Sequence, residues 1–182
     1  MAKAYQFMAD GFEDIEALAP VDILRRGGVD IKTVSITGSR EVTSAHGVTI
    51  LADITFEEAN LDDADLLMLP GGMPGAANLR DHRALGEALT EQAQRGGMVS
   101  AICAAPMVLG TLGLLRGKRA TCYPGFEDFL EGAQPTGAMC TVDGNITTGK
   151  GPGAALEYGY TLLAQLTNEQ TAREVAEGML AV

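Results

Sequence analysis

Apolar and polar positions along the chain switch repeatedly between two periods. Residues 4–8 form an apolar run of strand length that stops at Asp10-Gly11. The period then lengthens. Ile15, Leu18, Ala19, Ile23 and Leu24 fall at helical spacing, and Gly27-Gly28 supplies a C-terminal cap. Residues 29–36 return to strand-like alternation, and 42–45 and 48–52 read as extended pieces joined around His46-Gly47. Leu66–Leu69 is a wholly apolar strand broken by Pro70-Gly71-Gly72, and residues 84–94 are amphipathic, ending at Gly96-Gly97. Met98–Ile102 is a further apolar strand, followed by a helical stretch from residue 104 to about 115. The pattern then predicts a strand over 120–123, a short helix near 126–130, and a hairpin pairing 138–142 with 146–148 across Asp143-Gly144. Helices over 154–166 and 169–180 follow, with Pro152 placed to open the first.

Strand–helix alternation of this kind predicts an α/β fold whose mostly parallel sheet is covered on both faces, with the site at the carboxyl ends of the strands. The 182 residues fit a single domain, 1–182, with no internal repeat or low-complexity tract. A hydrophobic fraction of 46 % and a charged fraction of 20 % are those of a globular protein. Charge changes the list of partners: 24 acidic against 13 basic residues give −11, which repels phosphate backbones and anionic lipid. Neither nucleic acid nor a membrane is therefore expected. No window approaches the ~18 apolar residues of a membrane span, and the opening residues lack a signal peptide's basic leader and cleavage site. Three widely spaced cysteines with no C-x-x-C pair argue against a disulfide framework or a metal site and for a reducing cytoplasm. No cofactor is expected.

The densest chemistry lies in Ala101-Ile102-Cys103-Ala104-Ala105-Pro106. A nucleophile elbow turns sharply from strand to helix and needs small residues two before and two after the nucleophile. Ala101 and Ala105 stand there, an A-x-C-x-A version of G-x-S-x-G. A thiol at a helix N-terminus would be tilted toward the thiolate; the alternative is a buried structural cysteine. Gly71 and Gly72 end a second strand where backbone N–H groups can face an oxyanion, joined by that of Ala104, although Pro-Gly-Gly also makes an ordinary turn. Glu16 falls on the apolar side of the first helix, where a carboxyl is either protonated or paired, or else at the helix edge in water.

Taken in order, Asp10-Gly11-Phe12-Glu13-Asp14-Ile15-Glu16, Pro20-Val21-Asp22-Ile23-Leu24-Arg25-Arg26-Gly27-Gly28, Leu69-Pro70-Gly71-Gly72, Ala101 to Pro106, and Gly151-Pro152-Gly153-Ala154-Ala155-Leu156-Glu157 resemble the ThiJ/PfpI superfamily. Within it they are similar to the DJ-one-like branch, the Parkinson-disease protein deglycase type, almost end to end. The resemblance implies a flavodoxin-like three-layer sandwich and a homodimer. By position, it implies that Cys103 is the reactive cysteine, Glu16 a protonated acid donating to its sulfur, and Gly72 and Ala104 the backbone donors. It also makes Arg26 a pocket or dimer contact and places His46 at a pocket or dimer edge, against the plainer reading of a solvated loop histidine.

Two departures bear on mechanism. Relatives that act as peptidases carry His directly after the cysteine, where this chain has Ala104; the branch often carries a downstream His where Tyr123 stands. Tyrosine, with a reference pKa of about 10, is a poor base at neutral pH. The leading expectation is therefore a stress-protection protein acting on small reactive carbonyls, of glyoxalase or deglycase type. The alternative is a redox-responsive sensor or holdase chaperone in which Cys103 meets an oxidant rather than turning over. A cysteine peptidase comes last.

Overall fold

The computed structural model describes residues 1–181. Its centre is a seven-stranded sheet in the order β10-β11-β7-β6-β1-β2-β5, made of β1 (Lys3–Met8), β2 (Asp30–Ser35), β5 (Ile54–Thr55), β6 (Leu66–Leu69), β7 (Met98–Ile102), β10 (Cys140–Asp143) and β11 (Ile146–Gly149). All pairs are parallel except β10–β11. β6 is buried at all four positions, as a strand with helices on both faces must be. Helices α1 (Asp14–Arg26), α5 (Ala155–Leu166) and α6 (Glu169–Gly178) pack together, and so do α2 (Gly75–Asp81), α3 (Arg83–Gln94) and α4 (Pro106–Thr111). With the sheet between these groups, the expected three-layer α/β sandwich is the fold. Two small ribbons lie outside the main sheet: β3 (Glu41–Thr43) with β4 (Thr49–Leu51), and β8 (Arg119–Ala120) with β9 (Gln134–Pro135).

Chain order reverses between β1 and β6. β1 runs on through α1 to β2 on one side, whereas β6 leads through α2 and α3 to β7 on the other. That crevice at the strand carboxyl ends is where doubly wound sheets bind ligands; the first turn of α1, after β1, carries Glu16, and the loops after β6 and β7 carry Gly71-Gly72 and Cys103. Register fixes a second feature. Gln6 of β1, Met68 of β6, Ser100 of β7 and Thr147 of β11 form one cross-strand row, so their side chains share a face. Thr147 Oγ1 donates to Gln165 Oε1 of α5 at 2.8 Å, which identifies it as the α1/α5 face.

Some expectations are corrected. The helix after the elbow is confined to Pro106–Thr111, because Ala104 and Ala105 are spent on the turn and the chain enters further turns from Leu112. Residues 75–81, which show no clear period, form α2. The second hairpin turns one residue later than expected, through Gly144-Asn145, since Asp143 pairs with Ile146. Gly144 at φ 61° supplies the positive φ that a II′ turn needs at its first position.

Candidate active site

The elbow is built on backbone strain. Cys103 has φ 66°, in the left-handed region that side chains other than glycine rarely adopt. Three backbone hydrogen bonds hold it there: its N–H donates to Gly149 O at 2.9 Å, its carbonyl accepts from Tyr123 N at 2.9 Å, and Ala105 N donates to Ile102 O at 3.0 Å. Ala101 and Ala105 are fully buried on either side, so larger residues at these positions would have no room. Cys103 itself is 8 % exposed.

Glu16 reaches the same point from α1. Its helix begins at a cap made by Glu13, whose Oε2 accepts from Glu16 N at 2.7 Å, while Glu13 N donates to Gly71 O at 2.9 Å. The loop after β1 is thus tied to the loop after β6. Gly71 N in turn donates to Glu16 Oε2 at 2.9 Å. Gly71 has to be glycine, because a methyl there would come within 2.6 Å of Glu16 Oε2 and 2.7 Å of Cys103 Cβ. Gly72 is at φ 86°, with Glu13 N in the way of any side chain.

Electrostatics couple the two reactive groups. Glu16 is fully buried, and burial, helped by the Glu13 charge, raises its pKa to about 7; bonds to Cys103 and Gly71 act the other way. Burial also pushes the Cys103 thiol up, and a charged Glu16 carboxylate pushes it further, while the N–H groups of Gly72 and Ala104 favour the thiolate. The expectation of a thiol simply depressed by a helix N-terminus is corrected. α4 starts three residues after Cys103, and a buried carboxyl sits beside the sulfur. The pair cannot readily carry two negative charges at once, so it acts as a unit sharing one proton near neutral pH.

Other residues singled out from the sequence fall at different distances. Tyr123 is 47 % exposed at the rim, tied to the elbow by its N–H, with its ring against Gly151. His46 is exposed in the turn between β3 and β4, and its Nδ1 lies 2.7 Å from Asp14 Oδ2 at the start of α1. Asp14, Glu13 and His46 form a cluster beside the site that sequence spacing alone did not bring together. Arg26, ten residues beyond Glu16 on α1, is about 15 Å further along the helix axis and pairs with Asp22. Within one chain it does not join the site. A groove of about 780 Å³ between α5, α6 and β10 is lined by residues such as Leu156, Tyr160 and Arg173, none of which belongs to the Cys103 site. Among the described residues, no helix is long and apolar enough to cross a membrane.

Known proteins share this arrangement of elements. The model of the DJ-1/PfpI family matches residues 2–165. The chain is 39 % identical over 171 residues to Protein DJ-1 homolog B of Arabidopsis thaliana, covering 93 % of this chain but spanning only 39 % of that relative's length. It is 35 % identical over 147 residues to a protein of Pyrococcus abyssi named a deglycase, covering 80 % of this chain and 87 % of that one. The solved structure of oxidised Toxoplasma gondii DJ-1 superposes with a TM-score of 0.95 at 34 % identity, covering 99 % of this chain and 98 % of its own. Extending over nearly the whole sandwich, the match shows that this chain belongs to the DJ-1/PfpI family.

Proposed function

We propose that the chain is a cysteine-centred stress-protection protein of the cytoplasm, acting on small reactive carbonyls through Cys103 and Glu16 in a glyoxalase or deglycase type of reaction. One observation carries the reading: a strained cysteine in contact with a fully buried carboxyl whose pKa is raised to about 7. A carboxyl titrating there both donates and accepts a proton at neutral pH. The name of the Pyrococcus relative is consistent with such chemistry.

With methylglyoxal as the probe, the Cys103 thiolate adds to the aldehyde carbon and the carbonyl π pair moves onto oxygen. The N–H groups of Gly72 and Ala104 stabilise that oxyanion, and Glu16 delivers its proton to it, giving a hemithioacetal. The Glu16 carboxylate then takes the proton from the same carbon and returns it to the neighbouring one through an enediol, while the hemithioacetal hydroxyl proton passes to the neighbouring oxygen, leaving a thioester with a hydroxyl on the adjacent carbon. Water hydrolyses the thioester to lactate and frees the thiol. Because Glu16 performs both transfers unaided, turnover is expected to be weak. General acid–base help is worth roughly 10²–10⁴-fold, so Tyr123→His should raise the rate. Lactate release by wild type, Cys103→Ser and Tyr123→His tests this. Release that persists unchanged in Cys103→Ser would overturn the reading.

A second reading, a redox-responsive sensor or holdase, is favoured by Tyr123 standing at the rim in place of a base and by an oxidised relative of the same fold. Clean Cys103 sulfinate formation with no lactate from either active-cysteine protein would select it. A peptidase is disfavoured, since Ala104 follows the cysteine and His46 is 2.7 Å from Asp14. We also propose that the partner is a second copy of the chain. Ile15 and Leu18 of α1 and Val48 and Leu51 of the β3–β4 segment are exposed apolar side chains, and the turn of that ribbon bonds to the loop before α1 through Ala45 N and Phe12 O. Light scattering should give twice the 19.0 kDa chain mass, and Leu18→Glu should halve it; a monomeric wild type refutes the pairing.

A further inference from the structure

Three polar side chains that this chemistry does not use are sealed on the α1/α5 side of the sheet. Gln6, Ser100 and Tyr158 are each 0 % exposed. Both amide atoms of Gln6, Ser100 Oγ and Tyr158 Oη have no hydrogen-bond partner among the described residues, and neither does Glu16 Oε1. Native proteins pair nearly all buried polar atoms, so five such atoms on one side of one sheet call for a common explanation.

Register and packing place them near one another. Gln6 and Ser100 lie in the same cross-strand row, with Met68 between them. Tyr158 of α5 packs its ring over Gly149 of β11, where a methyl would come within 3.1 Å of Tyr158 Cδ2. β11 adjoins β7, so the phenol lies over Ser100, and the two hydroxyls are close enough to interact. The charge on Glu16 is felt at Tyr158 as well. Internal water typically takes two to four such partners.

We propose that Tyr158, with Ser100 and Gln6, forms an internal hydrogen-bonded site, completed by buried water, that positions Glu16 through Oε1 and sets where the proton shared with Cys103 resides. Tyr158 is thus a positioning residue, not a catalytic one. The groups that act on Glu16 are Cys103 from the elbow and Glu13 from the start of its own helix, while Tyr158 of α5 feels the charges of Glu16 and of Cys140 in β10. Of these only Tyr158 carries a hydroxyl. Donation from it, direct or through water, favours the Glu16 carboxylate and hence the arrangement with the proton on sulfur. Removing the hydroxyl should move the proton toward Glu16 and enrich the thiolate. The inference takes from the proposed function only that Cys103 and Glu16 share a proton.

The test is the pH profile of Cys103 alkylation by iodoacetamide, followed by peptide mass spectrometry so that Cys122 and Cys140 are read separately. Tyr158→Phe should raise the alkylation rate about threefold across the plateau above neutral pH, where the pair holds one proton, and leave the acidic limb unchanged. Ser100→Ala should raise the plateau the same way. In a Glu16→Gln background, Tyr158→Phe should leave the profile where it is. An unchanged plateau in Tyr158→Phe, or the same rise without Glu16, overturns the proposal; if Tyr158→Phe does not fold, Ser100→Ala decides on the same criteria. No carbonyl substrate is involved, so the result stands whether or not lactate is released.

Discussion

Holding a cysteine at φ 66° costs about 1–3 kcal/mol and leaves its sulfur fixed against Glu16, Gly72 and Ala104. That contact, not exposure, is what distinguishes it from the other two thiols. Cys140 is the most exposed of the three thiols, while Cys103 and Cys122 are buried. Burial raises all three pKa values, that of Cys122 to about 11. Among the described residues, only Cys103 has a carboxyl able to take its proton and two N–H groups to receive the charge. Graded peroxide should therefore oxidise Cys103 first, with sulfinate on its peptide before Cys122 or Cys140 changes mass. Equal oxidation, or Cys140 leading as exposure alone dictates, would remove the special status of the elbow. This residue was legible in the sequence because the turn demands small neighbours, and Ala101 and Ala105 supplied them. Gln6, Ser100 and Tyr158 were not: a polar residue within an apolar strand or helix reads as an outward-facing position until register shows which face it takes.

At the level of elements, long periodic segments and glycine stops located β1, α1, β6, α3, β7 and both closing helices within a few residues. What failed was local. α2 begins at Gly75 and shows no apolar period over its seven residues, so nothing marks it before its packing is known. α4 is shorter than its sequence predicts because Ala104 and Ala105 are good helix formers, yet the elbow needs them in a turn. The Cys103–Glu16 contact depends on two loops meeting through Glu13 N and Gly71 O, a pairing between residues far apart in sequence that no spacing rule reveals. The family resemblance supplied Glu16 for that reason, whereas the residues alone left it between core and solvent. His46 shows the reverse case, since its proximity to Asp14 appears only once the β3–β4 ribbon closes against α1.

For the whole molecule, the buried carboxyl ties stability to pH. Glu16 is fully buried with a folded-state pKa of about 7, against 4.5 for an unperturbed glutamate. Between those values the unfolded chain has released a proton that the fold retains, so raising the pH favours unfolding. The stabilisation from keeping Glu16 neutral is complete below pH 4.5 and is lost as pH rises through 7, a change of about 3 kcal/mol. Asp14 and Asp53 work in the opposite sense, because their pKa values are lowered and their contributions fade on acidification. Subtracting a variant that lacks only the Glu16 titration cancels those background terms. Glu16→Gln keeps the shape of the side chain and cannot ionise. Urea unfolding of both proteins at pH 4.5, 5.5, 6.5 and 7.5, at one protein concentration, should show wild type losing about 3 kcal/mol relative to Glu16→Gln across the series. A difference that stays constant with pH would mean that the Cys103–Glu16 pair takes up no second proton in the fold over this range, and a Glu16 pKa of about 7, the observation that carries the proposed carbonyl chemistry, would have no basis.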